Sequence, residues 1–324
     1  MTEQDICCAK FTYYCQLIYD TQKQRCGKAE LLIRAWGPGG EQYPTEELIQ
    51  TAERFGMIGD IDLRALQHAC RTLPRYRKEG IAQLSVNVSP RSLQEGIFRK
   101  KAEALLQEHC GVCRHLVIEI TEGAPGEKED WMRPALERLR QCGVSIAVDD
   151  FGKDNAGIFR ILNMPFQYIK LDKSITGQSH REPFARLVTE KLVEAMVLAG
   201  KEVVAEGVET AAQAQELLQM GVRYLQGCYW SPPVPEEVFF KEWALKCKYQ
   251  KTLAWQSSAP FRCCQSRMDG VRKEAKPPGG IHAGAGIEKQ QSIVQTVKNT
   301  KKETVSYHGR SIEAERSENG EKRL

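Results

Sequence analysis

The chain has 324 residues, of which 41% are hydrophobic and 27% are charged, and its formal net charge is +4. This length is enough for one large α/β domain or two smaller ones, and no apolar run approaches the length of a membrane span. The N-terminus, Met1 to Asp5, carries acidic residues and lacks the basic and apolar layout of a signal peptide. We therefore expect a cytoplasmic protein.

The 12 cysteines are scattered along the chain without a framework of spacings. This pattern favours reduced thiols over disulfides. The single CxxC, Cys110-Gly111-Val112-Cys113, has no second pair and only His115 nearby, which weighs against a zinc or redox site.

Up to about residue 245, strand-like apolar runs alternate with amphipathic helical segments. The predicted strands are Glu30–Trp36, Ala82–Val88, His115–Thr121, Val144–Val148, Phe166–Leu171, Val203–Ala205 and Tyr224–Leu225. Helices are predicted from Thr45 to Arg54, from Asp62 to Arg75 and from Asp130 to Cys142. A further helix has an apolar face made of Phe184, Leu187, Val188, Leu192, Ala195, Met196 and Ala199.

Repeated strand–helix alternation predicts a parallel sheet. About seven such units before residue 245 favour an α/β fold of the TIM-like (β/α)8 barrel type over an open doubly wound sheet. The dinucleotide-binding alternative lacks an early GxGxxG phosphate loop. The Gly279 to Gly286 segment resembles such a loop but follows no strand, so we interpret it as linker.

The composition changes beyond about residue 245. Residues 246–324 hold 16 Lys and Arg against 8 Asp and Glu, whereas residues 1–245 hold 30 against 34. The tail has few large apolar residues, and it contains Pro277-Pro278-Gly279-Gly280, so we predict a basic, disordered extension. Contact of this tail with nucleic acid or membrane stays open, but a solubilising extension is the simpler interpretation and there is no strong case for nucleic-acid binding.

The run Ile146-Ala147-Val148 leads directly into Asp149-Asp150-Phe151-Gly152. Two adjacent carboxylates at the end of a buried strand raise each other's pKa, so a cation between them favours the arrangement. A divalent metal ion is one such cation. A solvated Asp-Asp pair that opens a turn before Gly152 explains this segment equally well when it is taken alone.

Polar side chains also occur near the ends of the other predicted strands, where a barrel presents its functional groups. With the Asp pair they are Glu30, assigned to the first barrel strand, and Asn87, Glu119, Glu122, Lys170, Glu206 and Gln226. Each alone is typical of a cap or a surface charge, but buried acids at this density need compensating cations. Oxygen ligands without paired His or Cys favour Mg²⁺ or Mn²⁺ over zinc, and they suit two-metal phosphoryl chemistry.

Five of these stretches resemble the signatures of the EAL domain, a family of bacterial cyclic di-GMP phosphodiesterases. They are Glu30 to Arg34, Ser85 to Pro90, Glu119 to Glu122, Asp149 to Gly152 and Ala205 to Thr210. Lys170 and Gln226-Gly227 follow in the expected order and spacing. The resemblance implies a barrel whose first strand is antiparallel to its neighbours.

The resemblance also divides the chain into an N-terminal extension (1–9), an EAL domain (10–245) and the basic tail (246–324). No cyclase, sensory or receiver segment precedes residue 10, so we expect a stand-alone EAL protein. We expect it to act as a homodimer without a membrane span.

The resemblance implies a centre for two Mg²⁺ or Mn²⁺ ions. The ligands of the first ion would be Glu30, Asn87, Glu119 and Asp149. The second ion would be held by Asp150, Glu206 and again Asp149, which would bridge the two ions. This bridging role explains why the two Asp residues are adjacent.

Other matching residues would act on water and substrate. Lys170 would orient and help to deprotonate the attacking water, and it forms the implied catalytic group together with Glu30 and Glu206. The implied substrate-binding residues are Gln16, Arg34 and Gln226, the last through the metal–water shell. The residues that would support the metal-site loops are Glu122 and Glu209. The implied reaction opens one phosphodiester bond of cyclic di-GMP and yields linear pGpG.

Four departures from the family pattern bear on this expectation. The chain has Leu31 in place of Ala, Cys15-Gln16-Leu17 in place of Tyr-Gln-Pro, and Cys228 in place of Tyr. The Lys153 to Gly157 segment replaces a loop that commonly contains Gly-Tyr-Ser-Ser and that couples dimerisation to metal and substrate binding in the family. A degenerate EAL domain that only binds cyclic di-GMP or a protein partner is therefore the main alternative. A barrel metalloenzyme for another phosphoester is a third one.

Overall fold

The computed structural model describes residues 1–121, 131–153 and 163–241. Three sequence-based predictions therefore lie outside the described residues: Glu122, positions 154–157 of the altered loop, and the tail from residue 246. The division into an extension, a domain and a tail stays a prediction.

Within the described ranges, ten strands form one sheet, and eight of them close into a barrel. In chain order they are β1 (Lys10–Asp20), β2 (Arg25–Trp36), β3 (Gln42–Tyr43), β4 (Gln83–Asn87), β5 (Leu116–Thr121), β6 (Ser145–Phe151), β7 (Tyr168–Leu171), β8 (Glu202–Ala205), β9 (Tyr224–Gln226) and β10 (Val234–Pro235). The short strand β3 pairs with the end of β2, and the short strand β10 pairs with the middle of β1; both lie outside the ring.

The barrel contains one antiparallel strand. The pairings from β2 through β4, β5, β6, β7 and β8 to β9 are all parallel. Strand β1 runs antiparallel to both β2 and β9, and it closes the ring. The predicted TIM-like barrel with one antiparallel strand is confirmed.

The helices of the described residues lie between and beyond these strands. They are Glu3–Cys8, Thr45–Arg54, Ile58–Lys78, Pro90–Gln94, Gly96–Glu108, Cys110–Cys113, Met132–Gln141, Lys173–Arg181, Pro183–Leu198 and Ala211–Gln219. The main core lies between the barrel and these helices, where Leu66, Leu73 and Tyr76 of one long helix are completely buried. Their burial against the outer faces of the strands fixes the barrel within its shell of helices.

Strand β1 is absent from the predicted strands, so the assignment of Glu30 to the first barrel strand was wrong. Glu30 lies on β2, which follows β1 through a turn over residues 21–24 that includes Gln24 with a φ of 52°. Alternation of strands with helices cannot reveal a strand that joins its neighbour by such a short turn. Eleven residue pairs then hold β1 against β2, and Gln16 lies directly opposite Glu30.

The predicted apolar face of the helix Pro183–Leu198 is buried only in part: Met196 is buried as predicted and Leu192 packs against the core. Phe184, Leu187 and Val188 are 77%, 51% and 50% exposed, whereas the buried residues of this helix are Thr189, Val193 and Met196. The helix is apolar around much of its circumference, so periodicity alone does not identify the side that faces the barrel.

Candidate metal centre

Lys170 is the centre of the polar group inside the barrel. It lies on β7 between Ile169 and Leu171, whose side chains belong to the core outside the barrel. Because successive side chains of a strand point to opposite faces, Lys170 points into the barrel. Only 1% of its surface is exposed.

The Lys170 ammonium contacts four carboxylates from four different strands: Glu30 on β2, Glu119 on β5, Asp149 on β6, and Glu206 directly after β8. Its Nζ lies 2.6 Å from Glu119 Oε2, 2.7 Å from Glu206 Oε1, 3.0 Å from Asp149 Oδ1 and 3.3 Å from Glu30 Oε2. Among the described residues, no other basic side chain pairs with any of these four groups. One cation therefore faces up to four negative charges, and the excess favours further cations or bound protons.

Glu30 is the most strongly hydrogen-bonded of these acids. Asn87 Nδ2 donates to Glu30 Oε1 at 2.8 Å, and Gln226 Nε2 donates to Glu30 Oε2 at 2.7 Å. Gln226 Nε2 also lies 3.1 Å from Gln16 Oε1, while Gln16 Nε2 donates to the Ser231 carbonyl at 3.1 Å. These contacts orient the Glu30 carboxylate from three strands.

The Asp149-Asp150 pair departs from regular strand geometry. In a flat strand the two side chains would point to opposite faces of the sheet. The pairing of β6 with β7 is interrupted between Val148 and Phe151, and Asp150 has a φ of 54°. Such a bulge can turn two consecutive side chains toward the same side. The cost of a left-handed non-glycine residue, about 1–3 kcal/mol, is typical of functional sites.

Two groups of acids within the described residues place their oxygens close enough together to hold a cation. One is Glu30, Glu119 and Asp149, the other is Asp149, Asp150 and Glu206, and the ligand oxygens of each group lie within 4.8 Å of one another. Asp149 belongs to both groups. The donor set consists of hard oxygen ligands, which fits Mg²⁺ or Mn²⁺.

The side-chain oxygen of Gln226 also supports a bound metal ion at this centre. Gln226 Oε1 is buried and has no hydrogen-bond partner among the described residues, although the Nε2 of the same amide donates to Glu30. A buried amide oxygen without a donor costs about 1–3 kcal/mol. A water bound to a metal ion would supply the donor.

The electrostatics of the centre follow from burial and from these neighbours. Burial and the other acids raise the pKa of Glu119 and Asp149, and burial raises the pKa of Glu206 to about 8. Burial opposes ionisation of Glu30 too, but Lys170, Gln226 and Asn87 together hold its pKa below the usual value. Burial would lower the pKa of Lys170, yet the surrounding carboxylates raise it well above its usual range.

A close backbone approach holds Glu206 and Gln226 on their strand ends. Val208 donates its N–H to the Gln226 carbonyl at 3.0 Å, and Tyr229 donates to the Val208 carbonyl at 3.0 Å. A Cβ on Gly227 would lie 2.1 Å from the Val208 oxygen. Only glycine fits at this position, so Gly227 allows the loop after β8 to pack against the end of β9.

A cavity of about 260 Å³ opens beside the carboxylates. Asn87, Asp149 and Asp150 form one side of it, and Arg34 forms part of the wall on β2. Arg34 is half-buried, donates from Nη1 to the Ile33 carbonyl at 2.8 Å and stacks over the Tyr14 ring at 5.2 Å. These contacts hold Arg34 in the wall of the cavity beside the carboxylates.

Of the remaining predicted residues, Glu209 lies apart from this group and Lys153 contacts it through Asp150. Glu209 is exposed and precedes the helix Ala211–Gln219, and its backbone N–H donates to the Gln213 side chain at 2.9 Å. Lys153 Nζ lies 3.3 Å from Asp150 Oδ2, and Lys153 begins the altered loop.

Asp62 was not among the predicted residues, although it is buried in the cavity wall. The sequence did contain a signal for a buried acid at this position. Asp62 shares one helix face with the apolar residues Ile58, Ile61 and Ala65.

Within the described residues, no helix is long and apolar enough to cross a membrane. The nine cysteines of the described residues are all unpaired.

Comparisons with known proteins agree on one family. The EAL domain family model matches residues 3–233. The signaling protein YkoW of Bacillus subtilis is 29% identical over 71% of this chain and 29% of its own length. The cyclic di-GMP phosphodiesterase PdeL of Escherichia coli is 28% identical over 73% of this chain and 66% of its own length. The chain thus spans from under a third to about two thirds of these relatives.

A solved structure matches the same part of the chain. A c-di-GMP complex of the PaMucR phosphodiesterase is 25% identical, with a TM-score of 0.65 over 71% of this chain and 94% of the other. The barrel, the strand-end acids and the family match over most of the chain agree, and the protein belongs to the EAL domain family.

Proposed function

We propose that this protein hydrolyses cyclic di-GMP to linear pGpG with two divalent metal ions, Mg²⁺ or Mn²⁺. The observation that carries the proposal is the shared position of Asp149 in two groups of metal-competent carboxylates beside one buried lysine. The family membership and the named function of the relative PdeL support the choice of substrate.

The first ion would be held by Glu30, Asn87, Glu119 and Asp149, and the second by Asp149, Asp150 and Glu206. When bound, such ions activate water and stabilise the developing charge on phosphate oxygens. For Asn87, the proposal requires that the amide oxygen faces the ion, since its Nδ2 already donates to Glu30. Gln226 would accept a hydrogen bond from water in this shell through its unpartnered Oε1.

Lys170 would hold the attacking water and take part in its deprotonation. Its amine stays protonated while the four carboxylates are free to stabilise it. Cations that shared the charge of those carboxylates would remove this stabilisation and would lower the pKa of the Lys170 amine. The water oxygen then bonds to phosphorus, the bond from phosphorus to the 3′-oxygen breaks, and that oxygen takes up a proton.

Arg34 would bind substrate from the wall of the cavity, and Gln16 would bind it beside Gln226. The Arg34 guanidinium is suited to a phosphate oxygen, and its stacking on Tyr14 fixes its direction. The supporting roles of Glu122 and Glu209 remain part of the proposal.

The competing function is a degenerate domain that binds cyclic di-GMP or a protein partner without turnover. Such a domain has no need of a complete ligand set or of a buried lysine among carboxylates. The complete set in this chain favours catalysis, whereas the altered loop that begins at Lys153 is the feature that favours the alternative.

Incubation of the purified protein with cyclic di-GMP and Mg²⁺ or Mn²⁺ tests the proposal. We expect formation of pGpG, at least ~100-fold slower in Glu30→Ala and Lys170→Ala because each change removes a group at the reacting centre. Lys100→Ala and Glu108→Ala, two exposed changes on the helix Gly96–Glu108, serve as the control and should retain full activity. Calcium should inhibit, since it prefers longer bonds and more ligands. Tight binding of cyclic di-GMP without turnover in either metal would contradict the proposal.

The raised pKa of Glu206 predicts a pH-dependent stability of the metal-free protein. The folded chain holds this proton up to about pH 8, so the free energy of unfolding falls as the pH rises from about 4.5 to about 8. Glu206→Gln removes the titration and keeps an oxygen for Lys170. It should therefore be about 1–3 kcal/mol more stable than the wild type at pH 8 and equal to it near pH 4.5. A fifth of the side chain is exposed, which keeps the gain small.

Urea unfolding in the presence of a chelator at both pH values measures this difference. Gln215→Ala, an exposed and uncharged position on the helix Ala211–Gln219, is the control and should leave the pH dependence of the wild type unchanged. A Glu206→Gln variant that is less stable than the wild type at pH 8 would contradict the prediction.

We also propose a homodimer through the helix Pro183–Leu198. Phe184, Leu187 and Val188 form one exposed apolar turn of this helix, which is typical of an interaction surface. Phe184→Glu should give a monomer in size-exclusion chromatography with light scattering, whereas Lys100→Glu on the helix Gly96–Glu108 should leave the mass unchanged. A wild-type protein that is monomeric at all concentrations would exclude this interface.

A further inference from the structure

Asp62 is a buried acid outside the proposed ligand set. It lies on the helix Ile58–Lys78, is 5% exposed and contributes to the wall of the cavity beside the metal centre. No Lys, Arg or His of the described residues forms an ion pair with it. The acids Glu53 and Glu95 are its charged neighbours, and burial raises its pKa to about 7.

One oxygen of Asp62 binds the loop that follows β4. Asp62 Oδ2 accepts a hydrogen bond from the Ser89 N–H at 2.8 Å and another from the Ser92 hydroxyl at 2.6 Å. A carboxylate that accepts two such bonds fixes both the backbone at Ser89 and the start of the next helix.

The same loop is held from its other side by Glu53. The Ser89 hydroxyl donates to Glu53 Oε1 at 2.7 Å, and Arg91 Nη1 donates to the Glu53 carbonyl at 2.8 Å. Ser89 is therefore clamped between the helices Thr45–Arg54 and Ile58–Lys78 through its N–H and its hydroxyl.

The clamp acts two residues from Asn87. Asn87 is the last residue of β4, and its Nδ2 donates to Glu30 Oε1. Val88, between Asn87 and Ser89, donates its N–H to the Glu119 carbonyl at 2.9 Å. The backbone position of Ser89 therefore influences the direction of the Asn87 side chain.

A buried, unpaired carboxyl is costly for stability, and an apolar side chain of similar size would avoid this cost. Residues that hold metal ligands in place contribute about 10–100-fold to metal affinity in other proteins. A role at the metal centre accounts for an acid at a position that stability alone disfavours.

We propose that Asp62 is a positioning residue for the metal centre: by holding Ser89 and Ser92, it directs Asn87 toward the site shared by Glu30, Glu119 and Asp149. This inference rests on the proposed metal centre, and it assigns to Asp62 no contact with metal or substrate.

Binding of Mn²⁺ to the full-length chain, followed by the electron paramagnetic resonance signal of the free ion, tests this role independently of turnover. Asp62→Leu keeps the size of the side chain but removes the acceptor, and it should weaken Mn²⁺ binding by about 10-fold or more. Asp62→Asn keeps one oxygen that can accept both hydrogen bonds and should stay within about 3-fold of the wild type. Ser92→Ala removes one of the two bonds and should fall between them.

Val193→Ala, a buried change on the distant helix Pro183–Leu198, reports the effect of lost stability alone and should bind Mn²⁺ like the wild type. Wild-type affinity in Asp62→Leu, or in Ser92→Ala if the Leu variant does not fold, would overturn the positioning role. An equal loss in the Asn and Leu variants would overturn it as well. Absence of Mn²⁺ binding by the wild type would overturn the metal centre itself and this role with it.

Discussion

The structure depends on one buried amine among four carboxylates. Glu30, Glu119, Asp149 and Glu206 approach one another inside the barrel, where isolated negative charges are strongly unfavourable. Lys170 offsets part of this charge through four contacts of 3.3 Å or less. A single ammonium cannot neutralise four acids, so the raised pKa values of three of them reflect a centre that is short of positive charge.

Two unusual backbone features lie next to this centre. Asp150 adopts a left-handed conformation at a bulge, and Gly227 allows a backbone contact that any side chain would block. Both features lie at strand ends, where the hydrogen-bonded ladder stops and the chain can turn. The rest of the barrel provides the rigid frame that keeps the strained backbone of Asp150 in place.

The sequence predicted the chemistry of the centre better than its geometry. Glu119 lies within the apolar strand β5 and Glu206 directly follows β8, and both were recognisable because parallel strands end at one rim of a barrel. The bulge at Asp150 was not recognisable, since the residue types of β6 fit a regular strand equally well. Strand β1 was missed because a short turn, and no helix, joins it to β2.

Long-range contacts explain the other differences. Asp62 contacts Ser89 and Ser92 across about thirty positions of the chain, and no local pattern reports such a pairing. The helix Pro183–Leu198 has apolar residues on several sides, so the choice of Val193 and Met196 as its buried side depends on the neighbouring strand β8 rather than on its own periodicity.

The central claim is that Asp149 lies between two cations that replace the single charge of Lys170. Anomalous diffraction at a wavelength where manganese scatters, from crystals grown with Mn²⁺, tests it most directly. We predict two peaks about 3.5–4 Å apart, one beside Glu30 and Glu119 and one beside Asp150 and Glu206, with Asp149 in contact with both. A single peak, or two peaks that do not share Asp149, would contradict the account.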